Sequence, residues 1–358
     1  MSKNKLKKIF IAIISIFLCL SIVFISLTVF HINRNVDIHY HPKNVILLIG
    51  DGMGENHIEI TKEALKKDQM NIELFPIQGK VTTFSKNFIN TDSAAAASAM
   101  ATGKKTLNHM VAQEANSTIN ESLTEIAIRH NMKTGIISSS NLFDATPAAF
   151  SSHTYSRENY EDIIEQQISS SIDILIGEGK EEYDKYKQDI IKNKIYSDNL
   201  QDLPENTNEE ILCALTDISA NKNGENVLLS CTKYTLKELS NNENGFFLMI
   251  EGAKIDEESH QNNVEGMIKE LMAFDEVVGY CLDFAKNSGD TCVIVTADHE
   301  TGKIALPNGR GINNDLFQST SHTNRLVGYY LYPDNIAIVP SVIDNTYIYR
   351  LIYGVISS

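Results

Sequence analysis

Ser93 follows Thr91-Asp92 and opens the run Ala94-Ala95-Ala96-Ala97-Ser98-Ala99-Met100, which sets one hydroxyl at the mouth of an alanine-rich segment. Alanine is the best helix former, so the composition predicts a helix that starts with Ser93 at or near its N-cap. Free backbone N–H groups and the positive end of the helix dipole favour a phosphate or an alkoxide at such a hydroxyl. A plain Ser or Asp cap ahead of a buried, small-residue helix accounts equally well for this segment taken alone. The decision rests on residues elsewhere in the chain.

Three apolar runs each end in candidate metal ligands. The first ends in Gly50-Asp51-Gly52-Met53-Gly54, where glycine allows a sharp turn that leaves the Asp51 carboxylate facing the crevice beyond the strand end. The second ends in Glu251-Gly252-Ala253-Lys254-Ile255-Asp256-Glu257-Glu258-Ser259-His260. Asp256 and His260 are four residues apart, so a helix starting here puts a carboxylate and an imidazole on one face, a donor pair suited to zinc. The third ends in Asp298-His299-Glu300-Thr301-Gly302, and His322 follows in a polar stretch where it completes a site with three protein ligands. Singly, these read as a turn, a surface ion pair and a loop histidine. Their recurrence at equivalent places is what carries weight.

The elements that must position them are strands and helices in alternation. Residues 45–49, 134–139, 246–250 and 292–296 are continuous apolar runs, the pattern of strands buried on both faces. Residues 264–284 repeat apolar side chains at three- and four-residue spacing and predict an amphipathic helix. The implied fold is α/β, a three-layer α/β/α sandwich with a largely parallel central sheet, in which ligands gather beyond the carboxyl ends of the strands. Residues 180–226 are rich in Lys, Glu, Asn and Asp and read as exposed helix and loop.

Lys3, Lys5, Lys7 and Lys8 precede an unbroken apolar run over residues 9–30. Such a run reaches about 33 Å as a helix, enough to cross a hydrocarbon core of about 30 Å. Ile25-Ser26-Leu27-Thr28 offers no A-x-A cleavage site, and Cys19 lacks the small residue before it that a lipoprotein site needs. The expected organisation is therefore a basic cytoplasmic segment (1–8), a transmembrane signal-anchor (9–30), a linker (31–43) and one catalytic domain (44–358) outside the membrane, or secreted if the anchor is cleaved. The formal charge of −15 argues against a nucleic-acid partner. Cys213, Cys231, Cys281 and Cys292 lie where disulfides are permitted but have no paired zinc-thiolate spacing.

From Asn44 to its end the chain resembles the alkaline phosphatases. The resemblance is carried, in order, by Asp51-Gly52-Met53-Gly54, Thr91-Asp92-Ser93-Ala94, Asp144-Ala145-Thr146-Pro147-Ala148-Ala149, Ser156-Arg157, Glu251-Gly252 with Ile255-Asp256 and His260, Thr296-Ala297-Asp298-His299-Glu300-Thr301-Gly302, and His322-Thr323. It implies hydrolysis of small phosphate monoesters through a phosphoserine on Ser93, with two zinc ions and one magnesium ion. One zinc is then held by Asp256, His260 and His322, and the other by Asp51, Asp298 and His299 beside Ser93. Magnesium is held by Thr146 and Glu251, with Asp51 bridging and Asp144 acting through water. Arg157 clamps two phosphate oxygens and Asp92 orients it. Six positive charges from the metals against four from Asp51, Glu251, Asp256 and Asp298 leave a pocket able to attract a dianion.

Two features depart from the familiar pattern. Glu257 stands where relatives carry lysine, histidine or tryptophan; a carboxylate aimed at the phosphate weakens its binding and speeds its release. Only residues 300–321 separate His299 from His322, so a peripheral insertion that contributes to the family's common homodimer is reduced or absent. A sulfatase needs a proline and an arginine just after its nucleophile, and Ser93-Ala94-Ala95-Ala96-Ala97 has neither. The remaining alternatives are a phosphodiesterase of the same superfamily and a catalytically silent, membrane-tethered phosphate or metal binder.

Overall fold

The computed structural model describes residues 36–219 and 225–357. Its strands are β1 (Asn44–Gly50), β2 (Ile77–Thr82), β3 (Lys133–Asn141), β4 (Ile174–Glu178), β5 (Lys194–Ser197), β6 (Glu210–Leu215), β7 (Phe246–Gly252), β8 (Thr291–Thr296), β9 (Glu300–Thr301), β10 (His322–Thr323), β11 (Val327–Tyr332) and β12 (Val342–Asp344). The four apolar runs become β1, β3, β7 and β8, and they are neighbours. The main sheet has the order β12-β2-β11-β8-β1-β7-β3-β4-β6-β5. From β8 to β5 every pairing is parallel, and β11 alone runs against the rest.

Every residue of β1, β7 and β8 is buried, because helices cover both faces of the sheet there. One group comprises Glu55–Leu65, Val227–Leu239, Lys254–His260 and Val264–Ser288. The other comprises Ser93–Thr102, Leu123–Arg129, Ala145–Ser151, Tyr160–Ser169 and Thr346–Ile356. The long helix starts where its periodicity does: Asn263 accepts a hydrogen bond from the amide of Gly266, and Gly289 ends the helix in a left-handed conformation. Residues from Ile38 onward form one compact unit.

The polar region 180–226 is only partly the exposed helix and loop expected of it. Lys180–Asp184 and Lys187–Ile190 are short helices, but β5 and β6 extend the sheet, and residues 211–215 of β6 are buried. Five apolar residues flanked by polar ones gave a faint signal, and parallel pairing with β4 is what takes them inside. Cys213, Cys231, Cys281 and Cys292 are buried free thiols. Among the described residues no helix is long and apolar enough to cross a membrane. The expected segments 1–8 and 9–30 lie outside the described residues.

Candidate active site

Asp51, Glu251 and Asp298 lie just beyond or at the ends of β1, β7 and β8. Because β1 runs between the other two, Asp51 stands between the residues that follow β8 and those that end β7. The turn after β1 needs glycine at position 52: its φ is +69°, and a Cβ there would come within 2.6 Å of Asp256 Oδ1. The Gly52 amide donates to Asp298 Oδ1 at 3.0 Å and the His299 amide to the same oxygen at 2.8 Å, leaving Asp298 Oδ2 turned inward.

Ser93 is the first residue of the helix Ser93–Thr102, and Asp92 is its cap, accepting from the Ala95 amide at 2.9 Å. All ten helix residues are buried, which alanine allows by bringing the backbone close to its neighbours. Ser93 Oγ lies 3.2 Å from His299 Nε2. That nitrogen is 3.1 Å from Asp298 Oδ2 and 3.6 Å from Asp51 Oδ1. Asp51, Asp298 and His299 therefore converge beside the serine as one group.

A second group stands next to it. The helix Lys254–His260 puts Asp256 and His260 on one face, with His260 Nε2 3.1 Å from Asp256 Oδ2. His322 is carried in by the antiparallel pair β9–β10, in register with Thr301. Its Nε2 is 3.0 Å from His260 Nε2 and 3.8 Å from Asp256 Oδ1, and its ring stacks on His299 at 3.6 Å. His260 Nδ1 donates to Thr320 O at 2.6 Å and His322 Nδ1 to Thr91 O at 2.9 Å. A carbonyl can only accept, so each ring carries hydrogen on Nδ1 and, in its neutral form, presents a lone pair from Nε2.

On the other side of Asp51, Glu251 accepts from Ser138, the residue opposite it in β3. Thr146 lies in the first turn of Ala145–Ser151, with Asp144 as the preceding cap. Arg157 Nη2 pairs with Asp144 Oδ1 at 2.7 Å, while Asp92 Oδ2 lies 3.8 Å from Nη1. Asp144 is thus the closer partner, and Asp92, expected to orient Arg157, is the farther one. The backbone at His109 joins Asp92 to Arg157: its amide donates to Asp92 Oδ2 and its carbonyl accepts from the Arg157 amide.

The electrostatics are those of an anionic interior. Burial, reinforced by Asp298, Asp256 and Glu251, holds the Asp51 carboxyl well above the usual carboxylate range. Burial and Asp256 push Asp298 up to about 6 against the Gly52 amide. Burial, opposed by Ser138 and aided by Asp144 and Asp298, pushes Glu251 up to about 8. Asp256 goes the other way: burial raises it, but the His260 hydrogen bond and the charges of His299 and His322 hold it below its ordinary value. Burial and His322 hold His299 well below the usual imidazole range. Burial opposes the charge of Arg157, yet Asp144, Asp92 and Asp51 raise its pKa.

The donor set fits cations. Asp51 Oδ1, Asp298 Oδ2 and Thr146 Oγ1 are buried without a hydrogen-bond partner, and two imidazole Nε2 atoms lie 3.0 Å apart. Divalent cations relieve both, and oxygen with imidazole nitrogen is a zinc donor set while carboxylate with hydroxyl suits magnesium.

Sequence reasoning missed the hydroxyls around these ligands. Ser138 donates to Glu251, Ser139 Oγ accepts from the Ala253 amide at 2.9 Å, and Ser140 Oγ donates to Glu257 at 2.9 Å. A run of three serines closing a buried apolar strand was the available signal. Glu257, whose carboxyl burial raises against Ser140 and Lys254, is thus tied to the end of β3.

The family described as "Alkaline phosphatase" matches residues 42–203 and 205–346. Alkaline phosphatase 3 of Bacillus subtilis (strain 168) is 33% identical over 288 residues, covering 74% of this chain and 62% of the relative. The alkaline phosphatase of Escherichia coli (strain K12) is 29% identical over 337 residues, covering 74% of this chain and 72% of the relative. The solved alkaline phosphatase from the Antarctic bacterium TAB5 superposes with a TM-score of 0.78 at 30% identity, over 89% of this chain and 99% of that one. A mutant of the TAB5 enzyme was solved with Mg bound in its M3 site. The chain thus spans less than two thirds of the length of its Bacillus relative.

Proposed function

The chain belongs to the alkaline phosphatase family, and from that premise we propose that it hydrolyses small phosphate monoesters through a phosphoserine on Ser93. The observation that carries this reading is the buried Ser93 hydroxyl at the start of a helix, against one of two neighbouring groups of metal-type donors, in a site that also holds a carboxylate-bound arginine.

Asp256, His260 and His322 are the donors for one zinc, and Asp51, Asp298 and His299 for the other. Thr146 and Glu251 with Asp51 are the donors for magnesium, with Asp144 acting through water. When bound, these ions supply the Lewis acidity that an unassisted serine hydroxyl lacks at neutral pH. Ser93 Oγ attacks phosphorus, the Oγ–P bond forms as the bond to the leaving alkoxide breaks, and water then cleaves the phosphoserine and regenerates the hydroxyl. Inversion in each step gives net retention at phosphorus. Arg157 holds two phosphate oxygens through its planar fork, with Asp144 and Asp92 fixing the guanidinium from behind. The helix that begins at Ser93 aims its unpaired amides at the same anion. The basic and apolar N-terminal segment tethers the domain to the outer side of the cell membrane.

The test is release of p-nitrophenol by the full-length chain loaded with zinc and magnesium, beside Ser93→Ala and a bis-p-nitrophenyl diester. Fast monoester turnover at alkaline pH, lost with chelator and largely lost in Ser93→Ala, is the expected result. Preference for the diester overturns it in favour of a phosphodiesterase, and inactivity of folded, metal-loaded protein in favour of a silent binder.

A further inference from the structure

One hydroxyl joins the two zinc-type groups. Thr301 is fully buried in β9, and its Oγ1 contacts both Asp256 Oδ1 and, at 3.2 Å, His299 Nδ1. A hydroxyl has one proton to give. The Thr301 hydroxyl donates to Asp256 Oδ1, so its proton lies on that side and a lone pair is left for His299. Nδ1 of His299 is then the nitrogen that carries hydrogen, and Nε2, the atom facing Ser93, Asp51 and Asp298, keeps its lone pair.

His260 and His322 have the same arrangement, but backbone carbonyls impose it there. His299 alone depends on a side chain, and that side chain also fixes the carboxylate of the neighbouring group, leaving Asp256 Oδ2 for the side facing His260. The hydroxyl is itself held in place. The Thr301 amide donates to Gly52 O at 3.2 Å, and Thr301 pairs with His322 across β9–β10. Its position is therefore tied to the turn that bears Asp51 and to the strand that bears His322.

We propose that Thr301 is a positioning residue that fixes the proton-bearing nitrogen of His299 and the orientation of Asp256 together, so that the two zinc sites are built as one unit. This rests on the metal assignment above. Partners behind metal ligands affect affinity by about 10- to 100-fold. Here one substitution reaches both sites.

The test is zinc titration of the full-length chain against a competing chelator, comparing wild type with Thr301→Val, which keeps the shape without the hydroxyl, and Thr301→Ser, which keeps the hydroxyl. The expected result is a 10- to 100-fold weaker affinity at both sites in Thr301→Val and near wild-type affinity in Thr301→Ser, with the melting of the metal-free proteins reporting on the fold. In parallel, nitrogen NMR of the metal-free wild type labelled at histidine reports the His299 tautomer, expected with hydrogen on Nδ1. Wild-type affinity in Thr301→Val, a loss confined to one site, no recovery in Thr301→Ser, or a His299 hydrogen on Nε2 overturns the proposal. A wild type that binds no zinc defeats the metal assignment instead, and the tautomer then still decides the role of Thr301. The tautomer also decides if Thr301→Val fails to fold.

Discussion

Chelating the metals should make stability fall more steeply as pH rises, and the site electrostatics give the size of the effect. In the metal-free protein Glu251 titrates at about 8, against 4.5 for the ordinary group, because burial and the neighbouring carboxylates disfavour its charge. A carboxyl raised in this way supports the fold fully below its unfolded value and loses that support as pH rises through the folded one. Asp51 and Asp298 have the same sign, and Asp298, at about 6, has lost most of its contribution by neutral pH. Asp256, lowered by His260, His299 and His322 despite its burial, supports the fold throughout this range and cancels nothing. His57 and His299 oppose the trend below about pH 6.5, since burial keeps them neutral while the unfolded chain takes up protons. The informative window is therefore pH 6.5 to 8.5.

At 1.36 kcal/mol per pH unit for one proton, Glu251 alone removes about 2 kcal/mol across that window. For a domain of this size that is a fall of about 3 °C in the melting midpoint. With metals bound the same carboxylates are ionised against cations, and their part of the fall should vanish, leaving the smaller slope that the raised His153 and the buried cysteines give under both conditions. The assay is thermal or urea melting from pH 6.5 to 8.5, with chelator and with zinc plus magnesium. Parallel profiles under the two conditions would show that these carboxyls do not form the buried anionic cluster described, and the metal assignment would lose its physical basis.

Two further outcomes follow from contacts outside the ligand set. Glu257→Gln removes one exposed charge tied by Ser140 to the end of β3, and inhibition by inorganic phosphate should strengthen two- to fivefold, the range of a partly screened charge interaction; an unchanged inhibition constant would mean that Glu257 does not act on the phosphate. Asp275→Ala should cost about 2–4 kcal/mol in urea unfolding, because the buried carboxylate accepts from the amides of Asn71 and Ile72 and from the Asn71 side chain, while phosphatase activity per folded molecule stays unchanged.

What was legible in the sequence was whatever the chain states locally. Continuous apolar runs gave β1, β3, β7 and β8, and helical spacing gave Val264–Ser288. The strand ends gave Asp51, Asp298 and His299, and the i, i+4 pair gave Asp256 and His260. β6 was hidden because its five apolar residues sit in polar sequence, and only pairing with β4 buries them. The partner of Arg157 was hidden for a related reason: Asp92 and Asp144 both precede helices, and which lies closer depends on how the loop at His109 folds back. The run that begins at Ser138 was a faint signal and Thr301 carried none for this role, since serine and threonine in a buried strand commonly serve the backbone. Their role exists only in the register of β3 against β7 and of β9 against β10.

That division has a cause in the sheet itself. Parallel strands bring distant residues together only at their carboxyl ends, and the order β8-β1-β7 decides who meets whom. Asp51 follows the middle strand, so its carboxylate has Asp298 on one side and Glu251 on the other, and a residue in that position is the natural one to be shared between neighbouring cations. Thr301 is the corresponding bridge on the far side, between Asp256 and His299, but it reaches its place through a two-residue strand. The acidic bridge could be expected from a strand-end motif. The neutral one had to be found in the hydrogen bonds, because only its geometry distinguishes it from any other buried threonine.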